Sequence, residues 1–381
     1  MIPYGRHQVD QQDIDAVVDV LENRFLTQGA LVPKFEFALC DYTGSTFATA
    51  VNSATSGLHV ACLAAGVTQG DVVWTVPNSF VASANCALYC GAKIGFIDID
   101  RQTRNIDIDA LAEKLRVAAN TNTLPKALII VHFSGLSCDL RRIYSLTRKF
   151  SVTLIEDAAH ALGGEYLGSK VGCCEYSDMT VLSFHPVKSI TSAEGGAVLT
   201  NHNDLHSRIK LFANHGVTRD PQHMEGESHG PWYYQQVALG YNYRLSDLHA
   251  ALGLSQLSKL DGFISKRTQL AQRYQIQLAD LPITLPASVD YATSAWHLYM
   301  IELTQHSRQQ VYIQLQERGV GVNVHYIPIH LHPYYQRLGF EKGEFPNSEQ
   351  FYNCALTLPL YPSLTFDEQD VVINSLREIL R

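Results

Sequence analysis

Short apolar runs alternate with segments of helical character along the first two thirds of the chain. Several of these runs are continuously apolar, which is typical of strands buried on both faces of a sheet. They predict strands at 47–51, 72–76, 94–97, 127–132, 152–155, 179–184 and 197–200. The segments between them favour helices at 56–65, 79–90, 107–119 and 139–149. The alternation predicts an α/β fold with a large, mostly parallel, doubly wound central sheet flanked by helices.

The pattern changes after about residue 245. A long helix-compatible segment at 245–278 is interrupted by Gly253 and Gly262. A predicted strand at 296–303, a helix at 309–318 and an amphipathic helix at 366–381 follow. We therefore expect a large domain at 1–250 and a smaller α+β domain at 251–381.

Composition narrows the class of protein. The 381 residues include 29 Lys and Arg against 37 Asp and Glu, a net charge of −8. This balance argues against nonspecific binding to nucleic acid or to an anionic membrane surface. The chain contains no run of 18 apolar residues, so no membrane span is predicted. The first ten residues do not resemble a secretion signal. The eight cysteines form no C-x-x-C pair, so we expect reduced thiols and a cytoplasmic protein.

Three segments carry candidate chemistry, and the first is VNSATSG at 51–57, between a predicted strand and a predicted helix. The free N–H groups of a helix start can bind a phosphate. Ser53 or Thr55 can equally act as an ordinary N-cap, and the two interpretations are compatible.

The second segment delivers two carboxylates, Glu156 and Asp157, at the end of an apolar strand, followed by His160. Ligands bind at such strand ends in α/β folds. The carboxylates suit metal binding, acid–base chemistry or a structural cap. One carboxylate can also keep a heteroaromatic ring nitrogen protonated.

The third segment, SFHPVK, ends at Lys188 and is followed by Glu194 and two glycines. Most lysines are surface cations. A lysine placed among apolar residues instead has its charged form disfavoured, and it can act as a nucleophile or Schiff-base amine.

Other patterns are weaker. The segment 163–170 imitates a nucleotide-binding loop with the lysine and serine in the wrong order, which favours a hairpin. The histidines at 325, 330 and 332 suit loop contacts with a polar substrate or a partner better than zinc. No metal site is predicted.

One ligand would use all three segments: pyridoxal phosphate has a phosphate, a ring nitrogen and an aldehyde. The ordered motifs NSATSG, VPNSF, IEDAAH, SFHPVKS, EGG and GYNYRLSD resemble the sugar-nucleotide aminotransferases of the DegT/DnrJ/StrS family, which have fold type I. The resemblance covers essentially the whole chain. SFHPVKSI, SQLSKLDGFI and HYIPIHLHPYY are most similar to family members of the pseudaminic acid pathway.

The resemblance implies roles for individual residues. Lys188 matches the Schiff-base lysine that also moves a proton. Asp157 matches the partner of the ring nitrogen, His160 the residue that contacts the cofactor's phenolic oxygen, and Phe80 the aromatic stacked on the ring. The residues that match phosphate contacts are Ala54, Thr55 and Ser183.

Asn242 matches a residue that family members donate to the phosphate of the partner subunit, which implies a homodimer with shared active sites. Arg244, His325 and Tyr326 match segments that line the sugar-nucleotide entrance. Gly57 departs from the family pattern, because many members have alanine there.

The implied reaction is ping-pong. L-glutamate converts the cofactor to pyridoxamine phosphate, which then aminates C4 of UDP-2-acetamido-2,6-dideoxy-β-L-arabino-hexos-4-ulose, a UDP-linked 4-keto-6-deoxy-N-acetyl hexose. Other UDP-, dTDP- or GDP-keto sugars remain alternatives, with amination at C4 or C3. A sugar dehydratase of the same family would carry histidine at the position of Lys188. A non-enzymatic regulator would have lost the lysine.

Overall fold

A seven-stranded sheet forms the centre of the computed structural model, which describes residues 1–381. Its strand order is β1-β9-β8-β5-β4-β2-β3, and two three-stranded sheets and a two-stranded ribbon accompany it. The strands are β1 (Phe47–Val51), β2 (Val72–Thr75), β3 (Lys93–Phe96), β4 (Ala127–Val131), β5 (Thr153–Asp157), β6 (Glu165–Tyr166), β7 (Ser169–Lys170), β8 (Met179–Ser183), β9 (Gly196–Thr200), β10 (Val217–Thr218), β11 (Gln235–Gln236), β12 (Ile283–Thr284), β13 (Ala292–Thr293), β14 (Tyr299–Leu303) and β15 (Ala355–Leu358).

The seven predicted strands are the seven strands of this central sheet. Six of them run in one direction, and β9 alone pairs antiparallel with both of its neighbours. The carboxyl ends of β1, β4, β5 and β8 therefore lie at one edge of the sheet. The predicted mostly parallel α/β sheet is confirmed.

Thirteen α-helices surround the sheets. They are α1 (Gln11–Asn23), α2 (Leu31–Thr43), α3 (Ala54–Ala64), α4 (Ala82–Tyr89), α5 (Ile108–Thr121), α6 (Leu140–Lys149), α7 (Asn203–Ala213), α8 (Asp247–Leu257), α9 (Leu260–Gln277), α10 (Arg308–Glu317), α11 (Pro333–Gln336), α12 (Pro346–Cys354) and α13 (Phe366–Leu380). None of them is both long enough and apolar enough to cross a lipid bilayer.

The long segment at 245–278 is two helices, and the chain breaks between Leu257 and Leu260 rather than at its glycines. Gly253 lies inside α8, where an added Cβ would stand 2.7 Å from the ring of Phe35. Its role is thus the close packing of α8 on α2. The predicted boundary at residue 250 falls within α8, and the division into two domains stays a prediction.

Helix α3 packs very closely on the central sheet. A Cβ on Gly57 would lie 2.9 Å from a methyl group of Val181 and 3.3 Å from one of Val198. The smaller sheet, β12-β14-β15, has its own apolar core of residues from α9, α10 and α13. A buried ion pair joins Glu302 in that sheet to Arg104, which follows β3.

The segment that imitates a nucleotide-binding loop is the β6–β7 hairpin, as predicted.

Candidate active site

A cavity of about 440 Å³ lies at the carboxyl edge of the central sheet. The ends of β4, β5 and β8, the start of α3 and the loop after β8 contribute to its walls. Nine of the predicted site residues line it: Ala54, Thr55, Phe80, Asp157, His160, Ser183, Lys188, His325 and Tyr326. The three candidate segments therefore meet in one place.

The start of α3 has both the capping residue and the free N–H groups that the sequence offered as two interpretations. Ser53 is the N-cap, and its Oγ accepts a hydrogen bond from the N–H of Ser56 at 3.1 Å. The N–H groups of Ala54 and Thr55 have no acceptor within the helix, because they belong to its first turn. Gly196 lies opposite, where a Cβ would stand 2.6 Å from the nitrogen of Ala54. The backbone forms an open cradle that suits an anion.

The two neighbouring carboxylates have different surroundings. Glu156 binds His132 at 2.6 Å and Thr180 at 2.8 Å within the core. Asp157 faces the cavity, where its Oδ2 accepts a hydrogen bond from Ser83 Oγ at 2.6 Å. Its Oδ1 accepts one from the N–H of Ala159 at 3.1 Å. Successive residues of a strand point to opposite faces, so only Asp157 can reach a ligand.

Lys188 lies in the loop after β8 and is partly buried. The lysines that form ion pairs within 4.0 Å are Lys170 and Lys259, and Lys188 is not among them. Burial lowers the pKa of its ammonium group to about 8, although the negative charge of Asp157 acts in the opposite direction. The fraction of this lysine that is a free amine near neutral pH is therefore larger than for an exposed lysine.

His160 is buried, and each of its ring nitrogens has a hydrogen-bond partner. Its Nδ1 accepts from the N–H of Ser134 at 3.3 Å, and its Nε2 lies 3.2 Å from the hydroxyl of Tyr326. Burial, reinforced by the positive charge of Lys188, holds its pKa well below the ordinary value. The ring of His297 lies 4.3 Å from the ring of His160.

His325 and Phe80 occupy other parts of the wall. The Nδ1 of His325 lies 2.8 Å from Thr357 Oγ1. Burial and the nearby charge of Lys188 lower the pKa of His325 to about 4, so its ring is neutral. Phe80 is 58% exposed although it is apolar, and its ring centroid lies 6.2 Å from that of Tyr326. An exposed aromatic face at a cavity suits stacking on a planar ligand.

Two predicted site residues, Asn242 and Arg244, lie outside the cavity lining. The carbonyl oxygen of Asn242 accepts a hydrogen bond from Asn52 Nδ2 at 3.4 Å. Arg244 donates to Asn214 Oδ1 at 2.5 Å. Both residues flank Tyr243, whose carbonyl oxygen accepts a hydrogen bond from the N–H of Asn52 at 2.8 Å, just before α3. The side chain of Asn242 is exposed. The predicted role of Asn242 at the phosphate of a partner subunit and that of Arg244 at the sugar-nucleotide entrance stay predictions.

His330 has a structural environment. It is fully buried and its Nε2 binds Glu349 at 2.9 Å.

Sequence reasoning missed several residues of the site. Ser83 anchors Asp157, and it stands one helical turn after Ser79, whose hydroxyl it contacts at 2.7 Å. That i, i+4 spacing after the PNSF motif was a usable signal. Tyr4, Glu194 and His297 also line the cavity. His297 precedes β14, far along the chain from the motifs, and no local pattern marks it.

The site residues fit pyridoxal phosphate. The cradle of free N–H groups beside Gly196 suits the phosphate, and a residue with a Cβ at 196 would obstruct it. Asp157 is already held by two hydrogen bonds and presents a buried carboxylate. Lys188 has a lowered pKa and no partner charge, as an amine that reacts with an aldehyde requires.

Comparison with known proteins agrees with this assignment. The model of the DegT/DnrJ/EryC1/StrS aminotransferase family matches residues 7–377. The chain is 38% identical over 384 residues to the UDP-4-amino-4,6-dideoxy-N-acetyl-β-L-altrosamine transaminase of Campylobacter jejuni, covering 100% of this chain and 98% of that one.

Two solved structures are similar over the full chain. Helicobacter pylori PseC, an aminotransferase involved in the biosynthesis of pseudaminic acid, has a TM-score of 0.90 and 34% identity, with 100% of this chain and 99% of that chain covered. The sugar aminotransferase Spr1654 from Streptococcus pneumoniae, in its pyridoxamine phosphate form, has a TM-score of 0.91 and 28% identity with the same coverage.

Proposed function

The chain belongs to the DegT/DnrJ/EryC1/StrS aminotransferase family and is a pyridoxal-phosphate-dependent sugar aminotransferase; we propose that it moves the amino group of L-glutamate to C4 of a UDP-linked 4-keto-6-deoxy-N-acetyl hexose. The proposed sugar is UDP-2-acetamido-2,6-dideoxy-β-L-arabino-hexos-4-ulose, within pseudaminic acid biosynthesis. The observation that carries the chemistry is the single cavity in which Lys188, Asp157 and the start of α3 meet.

Pyridoxal phosphate, when bound, supplies a ring that withdraws electrons and so stabilises negative charge at the substrate carbon that loses a proton. The chain supplies the group that moves this proton, the Nζ of Lys188. A base works best when its pKa lies near the working pH, and burial brings Lys188 to about 8.

Asp157 performs an electrostatic task. Its carboxylate is fixed by Ser83 and the N–H of Ala159, and it would favour the protonated form of the ring nitrogen when the cofactor is bound. The N–H groups of Ala54 and Thr55, with the hydroxyl of Ser183 at the end of β8, bind the phosphate. Together these groups would hold two ends of a rigid molecule in the cavity that Lys188 also lines.

Several observations support the substrate. The relative from Campylobacter jejuni is named a UDP-4-amino-4,6-dideoxy-N-acetyl-β-L-altrosamine transaminase, and PseC from Helicobacter pylori is named an aminotransferase of pseudaminic acid biosynthesis. Both match the full chain. His325 and Tyr326 form a polar and aromatic wall in the same cavity as Lys188, which suits a sugar with both apolar and hydroxyl faces. Glutamate as the amino donor follows from the family resemblance.

We further propose a homodimer with shared active sites. The exposed side chain of Asn242 lies outside the cavity of its own chain, which suits a role in the cavity of a partner. A cytoplasmic location is proposed as well, because all eight cysteines are unpaired.

The function is tested by offering the purified holoenzyme a panel of 4-keto nucleotide sugars with glutamate. NMR of the products identifies the preferred nucleotide and the configuration at C4. Amination of the UDP-linked N-acetyl sugar is expected to be the fastest. A faster reaction with a dTDP- or GDP-linked sugar, or amination at C3, would contradict the proposed substrate. Glutamate that fails to convert the cofactor to pyridoxamine phosphate would exclude it as donor.

Two experiments test the site itself. Borohydride reduction of the holoenzyme should attach the cofactor to Lys188, and mass spectrometry of a digest would reveal any other lysine as the true site. For the dimer, inactive Lys188→Ala is mixed with Asn242→Ala. If sites are shared, each mixed dimer holds one site with both defects and one with neither, so activity returns on mixing. No recovery would refute the shared site.

A further inference from the structure

Ser83 contacts Asp157 without reaching the cavity. It lies in the first turn of α4, it is fully buried, and it does not line the cavity. Its Oγ stands 2.6 Å from Asp157 Oδ2. An ionised carboxylate can only accept hydrogen bonds, so the serine hydroxyl is the donor. A ligand in the cavity does not compete for this proton, because it cannot touch Ser83.

A second hydroxyl supports the first. Ser79 Oγ lies 2.7 Å from Ser83 Oγ, and both side chains are buried. Since Ser83 donates its only hydroxyl proton to Asp157, Ser79 is the donor in this contact. The hydrogen bonds therefore run from Ser79 through Ser83 to Asp157. Donors in such a chain polarise one another, which strengthens the last bond, the one to the carboxylate.

Asp157 keeps acceptor capacity for a ring nitrogen. A carboxylate has about four lone-pair sites. Oδ2 uses one of them for Ser83, and Oδ1 uses one for the N–H of Ala159. The bond from Ala159 is local, whereas the bond from Ser83 spans 74 positions and ties α4 to the end of β5. Both bonds can persist when a protonated ring nitrogen occupies a remaining site.

We propose that Ser83 is a positioning residue for transamination: its hydrogen bond holds Asp157 as an oriented carboxylate and thereby keeps a shared proton on the ring nitrogen of pyridoxal phosphate. The nitrogen and the carboxylate compete for that proton, and a hydrogen bond donated to an ionised carboxylate favours its charged form. A ring withdraws electrons best when its nitrogen stays protonated. The proposal rests on the cofactor site of the proposed function and not on the identity of the sugar.

The first test is Ser83→Ala, reconstituted with ¹⁵N-labelled pyridoxal phosphate and followed by ¹⁵N NMR. The chemical shift of the ring nitrogen reports whether the nitrogen carries the proton. Near pH 8, the signal of the variant should lie closer to that of the unprotonated ring than the wild-type signal does. On titration the proton should be lost about one to two pH units earlier, because one hydrogen bond to a charged group is missing. An unchanged signal with an unchanged titration would overturn the proposal.

Single-turnover kinetics provide a second measurement on the same variant. The cofactor ring acts in both half-reactions, so Ser83→Ala should slow each of them about 10-fold. The half-saturating concentrations of both substrates should change less than about threefold, because Ser83 touches neither substrate. Unchanged rates at saturating cofactor would also overturn the proposal.

Ser177→Ala is the matched control. Ser177 is a buried serine whose hydroxyl donates to Glu156, the neighbouring carboxylate that points into the core. The same group is thus removed from a carboxylate one residue away in β5. Ser177→Ala should leave the nitrogen signal and both half-reactions unchanged, whatever its effect on unfolding. If it moves the nitrogen signal as far as Ser83→Ala does, the effect is a general loosening of β5 and the positioning role is overturned.

Ser79 lines the cavity, so a direct effect on the ligand is separated from its effect through Ser83 by a double variant. In the wild-type background, Ser79→Ala should shift the nitrogen signal in the same direction as Ser83→Ala, but less. In the Ser83→Ala background it should add no further shift, because the hydroxyl that it supports is gone. A further shift in the double variant would overturn the relay through Ser83.

Failure of the proposed function would look different. The nitrogen signal needs neither glutamate nor a sugar nucleotide. An enzyme that aminates none of the 4-keto sugars would contradict the proposed substrate and leave the NMR comparison intact. A wild-type nitrogen signal in Ser83→Ala would overturn only the positioning role.

Discussion

The ionisation of Lys188 can be tested before any substrate is added. Burial places its pKa at about 8, against 10.5 for an unperturbed lysine. At pH 7 a group with a pKa of about 8 is roughly 9% free amine, whereas one at 10.5 is only about 0.03% free amine. The cavity thus raises the concentration of reactive amine about 300-fold.

Competitive acetylation of the apoenzyme across pH 6 to 11 measures this property. Mass spectrometry reports the extent of reaction at each lysine, and the exposed Lys34 serves as an internal reference for the reagent. Reactivity at Lys188 should rise with pH and level off above a midpoint near 8, because only the neutral amine reacts. A midpoint at or above about 10 would refute the argument from burial.

Asp157→Asn extends the test to the sign of the electrostatic effect. The negative charge of Asp157 stabilises the ammonium form of Lys188 and raises its pKa. Removing that charge should move the midpoint below 8. A midpoint that stays constant or rises in the variant would show that the two side chains do not interact as the structure indicates.

Two further predictions concern close packing and a buried ion pair. Gly57→Ala should destabilise the protein by about 1 kcal/mol in urea unfolding, because overpacking against Val181 outweighs the helix propensity of alanine. In a Val181→Ala background, which removes the crowding methyl groups, the same substitution should cost less. Glu302→Gln should cost about 3 kcal/mol by leaving the charge of Arg104 buried without a counterion, whereas the exposed Arg116→Gln should change unfolding by less than about 1 kcal/mol. Losses of similar size for Glu302→Gln and Arg116→Gln would contradict the second prediction.

The long apolar strands were predictable because their signal is local. All seven predicted strands form the central sheet, and their alternation with helices was sufficient for the fold class. The break in the segment 245–278 was misplaced for the opposite reason. Gly253 resembles a helix breaker in sequence, yet it lies inside α8. Its lack of a side chain leaves space for the ring of Phe35, which is more than 200 residues away along the chain.

The candidate site also has some features that the local sequence predicted and others that it did not. The sequence alone determined the chemical types in the cavity, namely a lysine after an apolar strand, a carboxylate at a strand end and a helix start rich in small residues. Those properties depend on residues within one motif. They were sufficient to indicate the cofactor when the motifs were considered together.

Only the tertiary structure decided which groups face one another. It directs Glu156 into the core and Asp157 into the cavity, where Ser83 anchors it. It also joins His160 to Tyr326, 166 positions along the chain. Hydrogen-bond direction, burial and the pKa of Lys188 all depend on surroundings assembled from distant segments. No local pattern encodes those surroundings, because the free energy of each contact arises only when the chain has folded.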